Sequence, residues 1–257
     1  MQRRSLIQAG LLAGVPAGWA RAALPDVVAR VRLSIAIVGT LRPTDAPRFR
    51  LRGSGFVVGG GNWVVTNLHV LPAASDTTSD TSLMVQVPLA GSKGFSLRQA
   101  TVVDTDPQHD LALLRIEGAS VPALVVGDSD LVREGQSVAL MGFPIGGTLG
   151  FTPVTHRGIV SAITPAVLPA PNSRTLTDAT IRAARAGGFD LFQLDATAYP
   201  GNSGGPLFDA ETGEVLGVVN MVLIKGTRES ALSQPSGISY AVPSKFVRAL
   251  MERAASR

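Results

Sequence analysis

The chain has 257 residues, 45% of them hydrophobic and 16% charged, which suits one large or two small packed domains and excludes a disordered chain. Its formal charge of +4 rests largely on the first 22 residues, whose three arginines have no acidic counterpart; without them 20 basic residues face 19 acidic ones, so binding to nucleic acid is not expected. There is no cysteine, which excludes disulfides, thiolate metal sites and a cysteine nucleophile.

Residues 1–22 read as an export leader. A charged start (Gln2-Arg3-Arg4) precedes an apolar stretch from Leu6 to Val15, a breaker at Pro16, and Ala20-Arg21-Ala22, which fits a leader-peptidase site cut after Ala22. The apolar run is short and interrupted by Gln8, so no stable membrane insertion is expected after cleavage. Arg3-Arg4 followed by Ser5-Leu6-Ile7 resembles a twin-arginine leader; a general secretory leader would also deliver the protein to the periplasm or the outside.

From residue 23 to 257 the chain reads as one domain of short strands and turns, in keeping with 28 glycines and 17 prolines. Runs rich in β-branched or apolar residues predict strands at 35–38, 55–58, 63–66, 83–87, 100–103 and 111–116, with Gly59-Gly60-Gly61 as a hairpin turn. A connector at 127–135 follows, with Asp128 and Asp130 in a turn. The second set of strands is expected at 137–142, 152–163, 191–194, 215–222 and 238–242. Two groups of about six strands predict an all-β chain of two antiparallel six-stranded barrels, one over about 34–130 and one over about 135–245. Only two stretches look helical. One is 177–186, capped by Thr175 or Thr177. The other is a short C-terminal helix over 244–255, whose Phe246, Val247, Leu250 and Met251 would dock on the back of the second barrel while its charged face is solvated.

The most specific stretch is Gly201-Asn202-Ser203-Gly204-Gly205-Pro206-Leu207. A serine hydroxyl is a poor nucleophile at neutral pH and needs a base and a rigid turn to present it. Gly201 and Gly204 permit such a turn, and the backbone N–H groups of Gly201 and Ser203 could converge on a developing oxyanion. Three histidines are available as base. His69 follows the apolar run Val64-Val65-Thr66, where a strand end holds it firmly; His109 sits in a polar turn and is expected in solvent; His156 lies in a strand with no carboxylate nearby in sequence. His69 is the choice. A third group must hold the imidazole tautomer, and Asp110, leading into Leu111-Ala112-Leu113-Leu114, fits better than Asp104 or Asp106, which read as exposed caps. The order His69, Asp110, Ser203 matches chymotrypsin-type triads. An α/β-hydrolase elbow would need a histidine after the serine, and none follows Ser203. With the histidines scattered and no Gly-rich loop leading a strand into a helix, neither a metal nor a cofactor is expected.

Several segments resemble trypsin-like proteases, and among them the HtrA/Deg group of bacterial periplasmic proteases. They are Gly53-Ser54-Gly55-Phe56, Val65-Thr66-Asn67-Leu68-His69-Val70, residues 106–116, Gly127-Asp128-Ser129-Asp130, Gly158-Ile159-Val160-Ser161-Ala162, residues 201–207, and Ser239-Tyr240-Ala241-Val242-Pro243-Ser244. They occur in the family's order across roughly residues 34–245. The resemblance implies a double β-barrel serine endopeptidase that acts on polypeptides through an acyl-enzyme, with the triad in the cleft between barrels; by analogy it also allows a homo-oligomer. An inactive protease-fold peptide-binding protein is the alternative. Members of the group usually carry PDZ domains after the protease domain, and a protease domain without one is expected here. The segment 164–190 is longer than the family's regulatory loop. By position in this fold, Thr197, Ala198, Val219, Asn220 and Met221 would shape the primary substrate pocket. Thr197 stands where trypsin-type enzymes hold an aspartate, so cleavage after small or medium apolar residues is expected, and not after Arg or Lys.

Overall fold

The computed structural model describes residues 23–73, 80–92, 94–144, 151–166, 188–220 and 237–257. Twelve strands close into two antiparallel barrels, as the strand count predicts. The first barrel comprises β1 (Ile35–Leu41), β2 (Phe49–Val58), β3 (Trp63–Asn67), β4 (Ser82–Pro88), β5 (Phe95–Asp106) and β6 (Leu111–Ile116), in the order β1-β2-β3-β6-β5-β4. The second comprises β7 (Ser137–Gly142), β8 (Val154–Pro165), β9 (Asp190–Asp195), β10 (Pro206–Asp209), β11 (Val215–Asn220) and β12 (Ile238–Pro243), in the order β10-β11-β12-β9-β8-β7. The connector between them holds a single 3-10 turn, Ser129–Leu131, whose entry is capped by the Asp128 carboxylate accepting from Asp130 N–H.

Side chains alternate faces along a strand, so strands buried on both faces feed two cores. In β1, Ile35 and Ile37 pack into a cluster between the barrels, while Ala36 and Val38 fill the first barrel. In β7, Ala139 and Met141 join the inter-barrel cluster, while Val138 and Leu140 fill the second barrel. This two-sided burial explains why the strands read as continuous apolar runs rather than as an alternating pattern. It also makes the contact between barrels a true core, with Phe56, Leu111 and Leu113 on one side and Phe208, Val218 and Val242 on the other.

Two elements escape the sequence pattern. Strand β10 has only four residues and begins with proline. Helix α1 (Leu24–Val31) covers residues to which the sequence pattern gives no element; Pro25 sits in its first turn, where its missing N–H costs nothing, and Val27 and Val31, one helical turn apart, are buried in the inter-barrel cluster. The second helix, α2 (Ser244–Ala255), has the expected bounds but packs on both barrels, against β11 and β12 and also β5 and β6. Its charged face is paired: Lys245 with Asp130 (2.9 Å), Arg248 with Asp128 (2.8 Å), and Arg253 with Asp104 (3.2 Å), which Arg257 also reaches (3.3 Å). Asp104 is therefore not the exposed cap its turn suggests; its side chain is 10% exposed beneath two arginines. The expected leader, the helix expected at 177–186 and most of the segment 164–190 lie outside the described residues. Among the described residues no helix is long and apolar enough to cross a membrane.

Candidate active site

Strand β3 ends at Asn67, and a 3-10 turn, Leu68–Val70, carries His69 off its end. Arg52 from β2 fixes the exit of that turn, donating from Nε to Val70 O (2.8 Å) and from Nη2 to Leu71 O (3.1 Å). Asp110 stands immediately before β6 with φ of +54°, the left-handed region that aspartate tolerates better than most side chains. In that conformation its carbonyl accepts from Leu68 N–H (3.0 Å) and Asn67 Nδ2 (3.0 Å). Its carboxylate accepts from three donors: Oδ1 from His69 N–H (2.9 Å), and Oδ2 from His69 Nδ1 (2.5 Å) and Asn220 Nδ2 (2.7 Å). A carboxylate can only accept, so this contact assigns the ring proton to Nδ1 and leaves Nε2 with a lone pair in the neutral ring.

The serine turn comes from the second barrel. Asn202 N–H donates to Tyr199 O (2.9 Å) across Pro200 and Gly201, and Gly201 has φ of +103°. Proline at the second position and a positive-φ glycine at the third define a type II turn. Beyond it, Ser203 is 6% exposed and its carbonyl accepts from Ser54 N–H of β2 (2.8 Å). Gly204, with φ of +84°, donates to Val219 O (2.9 Å), and Gly205 donates to Asn202 O (2.9 Å). A Cβ on Gly204 would collide with Ser54 O and Thr66 Oγ1, so the serine turn presses directly on the strand that leads into His69. The structure thus joins His69 to Asp110 and seats the Ser203 turn against β2 and β3.

The expected pocket residues separate. Asn220 is fully buried and its amide donates to the Asp110 carboxylate (2.7 Å), a pairing that a separation of 110 positions in the sequence conceals. Val219 is fully buried in the second-barrel core. Ala198 is 8% exposed and its N–H donates to Ser239 Oγ (2.9 Å), which in turn donates to Ala196 O (2.6 Å). Thr197 lines an open groove with Arg157, Ile159 and Asp195. Met221 lies outside the described residues.

The two other histidines have different surroundings. His109 is not in solvent. Its side chain is 12% exposed, its Nδ1 meets Asp106 Oδ2 (2.8 Å), and its ring stacks on Phe246 of α2 (centroids 3.6 Å apart, planes at 18°) with Phe189 edge-on at 4.6 Å. Asp106, expected as an exposed cap, is likewise mostly buried at 13%. Phe189 and Phe246 are distant in sequence, which is why a polar turn gave no sign of this packing. His156, in β8 opposite Leu140, has a buried Nε2 with no hydrogen-bond partner among the described residues, and its ring centroid lies 5.9 Å from that of Tyr199.

Burial holds the His156 imidazole below the usual histidine range. A lowered folded-state value means that the neutral form is favoured on folding. Its contribution to stability is therefore whole above about pH 6.5, the unfolded value, and is lost as pH falls through the folded value. His156→Leu should flatten the decline of the urea midpoint between pH 7 and pH 5; parallel wild-type and variant curves would contradict this account.

Comparison with known proteins agrees with the geometry. Residues 53–218, well over half of the chain, match the trypsin-like peptidase domain. A probable periplasmic serine endoprotease DegP-like of Marinomonas sp. (strain MWYL1) is 34% identical over 201 residues, covering 78% of this chain and 35% of the relative. The mitochondrial serine protease HTRA2 of Drosophila pseudoobscura pseudoobscura is 33% identical over 205 residues, covering 80% of this chain and 39% of the relative. The chain thus spans little more than a third of these relatives' length. Among solved structures, the HtrA-type protease AlgW with decapeptide superposes with a TM-score of 0.65 at 25% identity, covering 92% of this chain and 68% of that one. The same protease with tripeptide gives 0.62 at 26%, covering 90% and 63%. With its two closed six-stranded barrels and this match, the chain belongs to the trypsin-like peptidase family.

Proposed function

We propose that the chain is a serine endopeptidase in which Ser203 is the nucleophile, His69 the general base and Asp110 the group that orients it. The observation that carries this reading is the doubly bonded His69–Asp110 contact, through Nδ1 and through the backbone N–H. It fixes the ring in rotation and in tautomer, so the Nε2 lone pair is the one left to take a proton. In the proposed reaction Ser203 Oγ attacks the scissile carbonyl as its proton passes to His69 Nε2. The resulting oxyanion is met by the N–H groups of Gly201 and Ser203. His69 then protonates the leaving amine, and water repeats the sequence on the acyl-enzyme. Gly201 N–H donates to no acceptor among the described residues, in keeping with that role.

The substrates on this reading are polypeptides, with small or medium apolar residues before the scissile bond, since no carboxylate stands at Thr197 to neutralise a buried Arg or Lys. The periplasm is the proposed location, supported by the leader-like residues 1–22 and by the DegP-like relatives. The test is cleavage of an unfolded protein such as reduced casein, with mass spectrometry of the products. The wild type should cut mainly after Val, Ala or Leu, and Ser203→Ala should not cut at all. Equal cleavage by the two proteins would overturn the assignment of Ser203, and cuts mainly after Arg or Lys would overturn the assigned specificity.

A further inference from the structure

Ser54 lies in the middle of β2, paired with Ile37 of β1, and it is fully buried. It grips the serine turn twice. Its side-chain Oγ donates to Gly201 O (2.6 Å), and its backbone N–H donates to Ser203 O (2.8 Å). The hydroxyl has one hydrogen to give, and it accepts from Phe143 N–H (3.0 Å) just beyond β7, so its hydrogen is left for Gly201. The peptide plane between Gly201 and Asn202 is then pinned at both ends, its C=O on Ser54 Oγ and its N–H on Tyr199 O. Types I and II turns share the closing hydrogen bond and differ by rotation of the central peptide, here Pro200–Gly201, which carries the Gly201 N–H. An anchored frame on the C-terminal side of that peptide defines where the N–H is aimed. Ser54 O in turn accepts from Thr66 Oγ1 (2.7 Å) in β3, the strand that delivers His69.

We infer that Ser54 is a positioning residue for the oxyanion turn: through its hydroxyl and its N–H it sets the Gly201 and Ser203 peptides relative to His69, and so couples the docking of the two barrels to transition-state stabilisation. It does not touch substrate. The inference rests on the peptidase reading for its kinetic consequence, but the anchoring itself is measurable without turnover.

The experiment uses Ser54→Ala and Ser54→Cys with a chromogenic peptide bearing Val before the scissile bond. A misaimed oxyanion donor weakens the transition state more than the ground state, so Ser54→Ala should lower kcat by about 10- to 100-fold with KM within about twofold. Affinity for a peptide boronate should fall in the same proportion as kcat. Ser54→Cys, which keeps size and a weak donor, should recover part of kcat. Hydrogen exchange is read in parallel: the Asn202 amide should exchange at least about tenfold faster in Ser54→Ala, with the β1 amides unchanged. An unchanged kcat in Ser54→Ala, a loss expressed only in KM, or a cysteine variant no better than alanine would overturn the inference. A wild type without turnover would sink the peptidase reading instead, and the exchange of Asn202 would still decide whether Ser54 anchors the turn.

Discussion

Asp110→Asn should lower kcat by about four orders of magnitude while leaving the protein folded, the size of effect expected when a Ser–His–Asp triad loses its acceptor. The reason lies in the hydrogen-bond count. Asp110 receives three donors: His69 N–H, His69 Nδ1 and Asn220 Nδ2. A carboxylate satisfies all three. An amide offers one oxygen and one donating nitrogen, so at least one contact sets donor against donor. If the amide nitrogen faces the ring, Nδ1 must become the acceptor and the proton moves to Nε2, where it blocks the lone pair required by Ser203. Asn220 Nδ2, which shares Oδ2 with the ring, then also meets a donor; in the other orientation the amide nitrogen faces the His69 backbone N–H, and the contact that holds the ring in rotation is lost. The pH–rate profile and single-turnover acylation will separate this from a folding defect. A loss below about tenfold, with unchanged stability, would contradict the role given to Asp110.

Gly204→Ala is the second large effect. At φ of +84° an L side chain is strained, and here the added methyl also meets Ser54 O and Thr66 Oγ1, atoms of two strands fixed by their own ladders. Left-handed strain and overpacking together should cost about 3 kcal/mol. The same push displaces Ser203 from β2, so activity should fall beyond what the loss of folded protein accounts for. Urea denaturation with an unchanged m-value and active-site titration of the folded fraction measure the two parts. A stability within about 0.5 kcal/mol of wild type would show that the strands can give way.

Much of the architecture was legible because β1, β3, β6, β7 and β11 are buried along nearly their whole length and read as apolar runs, while longer, more polar strands such as β5 and β8 show through their β-branched residues; only β10 of the twelve had no such signal. Helix α1 did not follow that logic: its valines have strand propensity, and only the space between barrels decides that Val27 and Val31 belong on one helical face. At the site, Ser203 announces itself by a glycine-rich motif, and His69 by its strand-end setting. Asn220 and Ser54 do not. The side chain of each bonds to a partner 110 or 147 positions away, Asp110 and Gly201 respectively, and no local pattern encodes such a contact. His109 misled for the converse reason: its neighbours in sequence are polar, but the rings that enclose it come from Phe189 and Phe246. The Asp106–His109 contact even resembles the Asp110–His69 pair in geometry, with both backbone N–H and Nδ1 on one carboxylate. What separates them is access, since His109 is enclosed by aromatic rings whereas His69 stands just past the end of β3, one of the strands against which the Ser203 turn is seated.

That difference makes covalent labelling the most direct measurement. A fluorophosphonate probe reacts with a serine only when a base has activated it. Applied to the folded protein and mapped by mass spectrometry, it should give one adduct, on Ser203, lost in Ser203→Ala and strongly slowed in His69→Ala, while His109→Gln labels at the wild-type rate. Absence of an adduct on folded wild-type protein, or labelling that depends on His109 and not on His69, would contradict the account.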